Sequence, residues 1–182
     1  MKSNIREIVI SALSVALCMT LMILTGVLSV AAYIMPMVAG LLISIIQIEL
    51  NSKRASQIFI ATSILSFIFC PDKESFIIFI LFMGIYPIVK NRLDRISNLL
   101  LRFLCKALIS LIASSLIFVI FTYILMIPED FFNLFGIPVK LLTILSMCAS
   151  FLLYDMAINN FNKFYIRKLQ ILVRNNILNK MS

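Results

Sequence analysis

Residues 8–30 read IVISALSVALCMTLMILTGVLSV, a run without a single charged side chain. At about 1.5 Å per residue, a helix of that length crosses the roughly 30 Å apolar core of a bilayer. Five more apolar stretches follow at 31–48, 55–70, 75–89, 104–127 and 137–157, separated by clusters of charge and proline. The third and fourth are short for a span. They either borrow loop residues buried in protein or meet a locally thin bilayer. The pattern predicts an all-α integral membrane protein with six transmembrane helices over 1–158. A basic amphipathic tail over 159–182 follows.

Composition agrees. The 182 residues are 62% hydrophobic and 13% charged, with mean hydropathy +1.09. A soluble domain is about half apolar and about a quarter charged. Intrinsic disorder is excluded by the same apolar content. The first stretch is too long for the roughly 7–15-residue apolar core of a signal peptide, although Lys2 and Arg6 would suit one. Helix one is therefore expected to stay in the membrane.

The charges give an orientation. With a cytoplasmic N-terminus and six crossings, every Lys and Arg falls inside except Lys73 and Lys140. Asp72, Glu74, Glu129 and Asp130 fall outside. Lys and Arg in short loops set topology, so both termini are expected in the cytoplasm of a bacterial cell. The net charge of +8 is then a topology signal, and nucleic-acid binding is not expected. In the tail, Phe161, Tyr165, Leu169 and Leu172 share one helical face, and Lys163, Arg167, Gln170 and Arg174 share another. Such a segment suits the anionic inner leaflet, so membrane lipid is an expected partner.

Chemistry-bearing patterns are few. The chain has no His, and its four cysteines lack metal-ligand spacing, so no metal or cofactor is expected. The cysteines read as packing residues. There is no glycine-rich phosphate loop, HExxH or GxSxG motif, and no paired intramembrane carboxylate. No enzyme is expected. Glu49 and Asp155 lie near the inner surface and read as partners for nearby Lys or Arg. Pro87 is expected to kink or end helix four.

Two features can carry function. Ala12 and Ala16, flanked by Ser11 and Ser14, make a shallow small-residue face in helix one, suited either to docking a partner helix or to internal packing. The second is the outer rim. Tyr33 is read in a first outside loop with Met35. Asp72, Lys73 and Glu74 lie between helices three and four. Tyr123, Glu129, Asp130 and Asn133 lie at the top of helix five and in the longest loop. Together they form either a polar mouth over an apolar pocket for a small-molecule substrate or an ordinary solvated rim. Asp72 and Glu74 can equally cap helix four.

Six helices with both ends inside, the Ala12-x-x-x-Ala16 face and the long outside loop after helix five resemble the S component of an energy-coupling factor (ECF) transporter. The run Pro71-Asp72-Lys73-Glu74 followed by Gly84-Ile85-Tyr86-Pro87-Ile88-Val89-Lys90 is similar to Firmicutes membrane proteins often grouped with S components. The resemblance implies a vitamin or other small-solute receptor. It also implies a transmembrane T component docked on Ala12 and Ala16, and two ABC-type ATPases that supply the work. The missing histidines depart from the nickel and cobalt S components. No stretch matches a particular vitamin's motif. A structural scaffold of a cell-envelope complex would use the same small-residue face and tail and need no pocket.

Overall fold

The computed structural model describes residues 2–27, 31–123 and 139–169. All secondary structure among the described residues is helical. The helices are α1 (Lys2–Leu24), α2 (Ala31–Glu49), α3 (Ser52–Phe69), α4 (Lys73–Ile78), α5 (Tyr86–Leu93), α6 (Leu99–Tyr123) and α7 (Val139–Phe164). A π-helical turn, Phe79–Met83, joins α4 to α5, so Lys73–Leu93 forms one interrupted rod. A second π turn, Tyr165–Leu169, extends α7. The described residues thus form six rods.

Among the described residues, four rods are long and apolar enough to cross a membrane: Ile5–Leu24, Ala32–Glu49, Lys73–Leu93 and Leu99–Tyr123. The α3 rod, diluted by Lys53, Arg54 and Gln57, is not among them. The rod after α3 is longer than its apolar stretch because Lys73, Glu74 and residues up to Leu93 join it. Leu13, Phe67, Leu104, Leu108 and Leu153 are among many large apolar side chains left exposed on the outside of the bundle. In water such a surface would be costly; in lipid it is the ordinary exterior.

Contacts between rods fix their directions. At one pole Glu7 of α1 pairs with Arg54 of α3 at 3.3 Å. Gln47 of α2 reaches the Ser52 hydroxyl at 3.0 Å, and Ser44 donates to Asn162 of α7 at 3.0 Å. At the other pole Thr25, just past α1, meets the Cys70 sulfur at 3.7 Å. There Ser75 of α4 donates to the Ala32 carbonyl at 2.7 Å. Successive rods therefore run up and down. The start of α1 and the end of α7 share the pole that holds Arg54, Lys90, Lys106 and Lys163, called here the basic pole. The helix of α7 continues without a break through residues 158 and 159. The amphipathic segment thus begins as its last turns, and residues 170–182 lie outside the described part.

The core has two parts. Cys18 and Met22 pack with Ala39, Ile43, Ala55 and Ile58 among α1, α2 and α3. Ile117, Phe121, Phe151, Tyr154 and Ile158 pack between α6 and α7. The Lys73–Leu93 rod serves both: Phe79 and Ile88 enter the first, and Ile78, Phe82 and Tyr86 enter the second.

Two prolines shape the rods: Pro36 differs from expectation, while Pro87 stands at the interruption expected of it. Tyr33-Ile34-Met35-Pro36 reads as a loop in the sequence but lies inside α2. Proline lacks the N–H that would bond the carbonyl four residues earlier. For Pro36 that carbonyl belongs to Ala32, and the Ser75 hydroxyl donates to it instead. For Pro87 it belongs to Met83, and the buried Tyr154 hydroxyl donates to it at 2.8 Å. In an apolar medium a freed carbonyl must find such a donor from a neighbouring helix. Pro87 accordingly marks the break in the rod and opens α5 after it, since its fixed φ suits a first helical turn. Gly40 lets α2 approach this junction: a Cβ there would stand 2.1 Å from the Tyr154 hydroxyl and 2.2 Å from the Met83 oxygen.

Candidate functional site

Away from the basic pole, an open apolar pocket lies between α2, the interrupted rod, α6 and α7. Its volume is about 120 Å³, and Tyr33, Ile78, Phe82, Met83, Ser114, Ile117 and Ser150 line it. An engineered apolar cavity of about 150 Å³ binds benzene, so this pocket suits a group of roughly aromatic-ring size. The π turn places Phe82 and Met83 on its wall. Gly84 N–H bonds back five residues to the Phe79 carbonyl at 2.7 Å, and such bulges recur at functional sites. The polar groups are few. Ser114 is held by the Cys148 sulfur at 3.9 Å, and Ser150 donates to the Ser146 carbonyl at 2.9 Å. Tyr33 stands largely exposed at the edge.

The expected rim residues separate in role. Tyr33 lines the pocket, and Asp72 and Glu74 lie near enough for their charges to act on its hydroxyl. Asp72 is the N-cap of α4: its carboxylate accepts from the Glu74 N–H at 3.1 Å and shares the Ser75 hydroxyl proton with the Ala32 carbonyl. Lys73 caps the other way, donating to the Phe67 and Cys70 carbonyls at 3.0 and 3.1 Å at the end of α3. Tyr123 ends α6, largely exposed and away from the pocket. Glu129, Asp130 and Asn133 lie outside the described residues. Ala12 and Ala16 sit on the exposed side of α1, beside Leu13 and Leu17. Ser11 and Ser14 turn their hydroxyls onto their own helix, to the Glu7 and Ile10 carbonyls at 2.8 Å each.

At the basic pole a second polar cluster joins α5, α6 and α7. Asp155 accepts from Lys90, from the Tyr86 hydroxyl at 2.5 Å and from Lys106 at 3.2 Å. Asp94 takes Lys106 at 2.8 Å and Lys90 at 3.7 Å. The Lys90 side chain is only 5% exposed, so its charge is matched inside the protein rather than by water. The expected pairing of Asp155 with Lys is met. Glu49 instead accepts from the Tyr165 hydroxyl at 3.0 Å. Burial, then the Glu49 hydrogen bond and charge, push the Tyr165 phenol up to about 12.

Sequence reasoning missed Ser114, Ser150, Phe82 and Met83 as pocket residues. One signal was available: Ser110, Ala113, Ser114, Ile117 and Phe121 recur at helical spacing and form the buried face of α6. Small and hydroxyl residues on one stripe of an apolar helix mark the side that meets other helices. Among the fully described residues no group of three or more His, Cys, Asp and Glu is placed to hold a metal ion. Compared with protein-family models, curated proteins and solved structures, the chain matches none.

Proposed function

We propose that this chain is the substrate-capturing membrane subunit, or S component, of an ECF-type ABC importer. The observation that carries the reading is the open apolar pocket with Tyr33 at its edge, on the side away from the basic pole. In this reading all six rods cross the bacterial cytoplasmic membrane and the basic pole faces the cytoplasm. Both termini then lie inside and the pocket opens outward. Alternation of the rods and the clustering of Lys and Arg at one pole support that orientation.

The solute is a small organic molecule with an apolar ring or chain of about ring size, such as a vitamin. Phe82, Ile78 and Ile117 exclude water around it. The Tyr33, Ser114 and Ser150 hydroxyls supply the few directional contacts that fix its orientation. Asp72, Lys73 and Glu74 act by holding the ends of α3 and α4 that frame the mouth. Work comes from partners, a T component and two ATPases, with the exposed Ala12 and Ala16 face as the docking surface for the T component.

The test is purification of tagged protein from its native membrane in mild detergent, with mass spectrometry of proteins and small molecules. A T component with ATPases, and a co-purified solute displaced by Ser150→Leu, is the expected result. Envelope-synthesis or cytoskeletal partners with no retained solute would overturn the reading and favour a scaffold.

A further inference from the structure

A cleft of about 600 Å³ opens between the start of α6 and the later turns of α7 at the basic pole. It lies within the roughly 300–1,000 Å³ range of small-ligand sites. Arg102, Lys106, Lys163, Asn159, Asp94 and Asp155 supply its polar wall. Charge is not balanced across that wall. Lys106 is spent on Asp94 and Asp155, and Lys90 behind it is spent on the same two carboxylates. Two ammonium groups thus answer two carboxylates. Arg102 and Lys163 form no ion pair among the described residues, so two cations face the open cleft without a counter-charge.

The remaining wall is apolar. Leu99 and Phe103 line the cleft, 72% and 61% exposed. Leu100 and Leu104 beside them are also exposed. A guanidinium fork and an ammonium beside an amide suit the several oxygens of a phosphate. Exposed apolar side chains next to them suit acyl chains descending from a headgroup.

We propose that this cleft binds a phosphate-bearing anion, with Arg102 and Lys163 as its charged donors and Asn159 as a neutral one. The phosphate comes either from an anionic phospholipid headgroup or from a soluble phosphate, and the experiment separates these. The full-length protein is reconstituted in nanodiscs of phosphatidylcholine with a minor fraction of phosphatidylglycerol. Retained lipid is counted by native mass spectrometry after release into detergent. Inorganic phosphate binding is measured in parallel by calorimetry in lipid-free detergent. The double variant Arg102→Gln/Lys163→Gln is compared with Lys53→Gln/Arg92→Gln, which removes equal charge from exposed positions of the same pole. Arg102→Lys/Lys163→Arg keeps the charge, and thermal unfolding in detergent checks that each variant folds.

Selective retention of phosphatidylglycerol, weakened roughly twenty-five-fold only in Arg102→Gln/Lys163→Gln, establishes the site with lipid as its source; two surface cations at about fivefold each give that figure. Phosphate binding lost in the same variant, without lipid selectivity, establishes it with a soluble source. Equal losses in the two charge-removing variants, or no binding of either probe to the wild type, overturn the proposal.

Discussion

Tyr154→Phe deletes one oxygen, and its cost depends on a proline four residues beyond the carbonyl that the oxygen bonds. The Tyr154 side chain is 2% exposed, so water cannot replace its hydroxyl on the Met83 carbonyl. A buried carbonyl left without a donor costs about 1–3 kcal/mol in soluble proteins. Side-chain hydrogen bonds in a membrane protein average about 0.6 and reach about 1.7 kcal/mol. Here no alternative donor comes from the rod, because Pro87 has none and the Ile88 N–H already goes to Ile85. The expected loss therefore sits toward the upper membrane value, about 1.5 kcal/mol. In a Pro87→Ala background the backbone regains an N–H four residues after Met83. There Tyr154→Phe is expected to cost under about 0.5 kcal/mol, the size of an ordinary neutral substitution. The assay is reversible unfolding in mixed micelles by SDS titration, carried through the wild type, both single variants and the double variant. Equal costs in both backgrounds, or none in either, would refute the argument that the hydroxyl stands in for the missing amide.

Asp155→Asn should destabilise by about 3–5 kcal/mol, because it leaves the buried Lys90 charge without its nearest counter-ion. Asp94→Asn, at a carboxylate 36% exposed, should cost about 1 kcal/mol or less. The same SDS titration ranks them, and equal losses would mean that Lys90 does not depend on Asp155. Tyr165 titrates high, at about 12 against an ordinary 10.0. Its folded value is raised, so its contribution to stability is complete below pH 10.0 and is lost as pH climbs through about 12. Glu49→Gln should bring the phenol down; ultraviolet phenolate absorbance, with Tyr165→Phe as the blank, follows it, and an unchanged midpoint would remove Glu49 as a cause.

The helical class was readable because uncharged runs such as 8–30 leave a chain few alternatives in lipid. Asp72 as a cap of helix four was also readable, since the residue before an apolar run needs only local geometry. What failed was the reading of Pro36 as a loop. Proline signals a missing donor, and nothing local reveals that Ser75, on another rod, supplies the replacement. Lys73 was assigned to a mouth for a related reason: its partners are backbone carbonyls at the end of α3, and carbonyls carry no sequence signature. Tyr33 lines the pocket, yet the pocket's walls come from four separate rods. Only packing brings Phe82, Ser114 and Ser150 together. The Asp155 cluster lay between these extremes. Its charges were assigned to one pole by counting, while its division into spent and unspent cations needed distances.

The division of the core bears on the order in which the bundle assembles during synthesis. The first three rods bury Cys18, Met22, Ala39, Ile43, Ala55 and Ile58 among themselves and lock at one end through Glu7 and Arg54. They can cohere once the third has been made. The interrupted rod cannot finish when it emerges, because the donor for its Met83 carbonyl is Tyr154, still untranslated. Until α7 arrives, that carbonyl lacks the donor that completes it. The late helices are thus drawn to one particular place on an already assembled half.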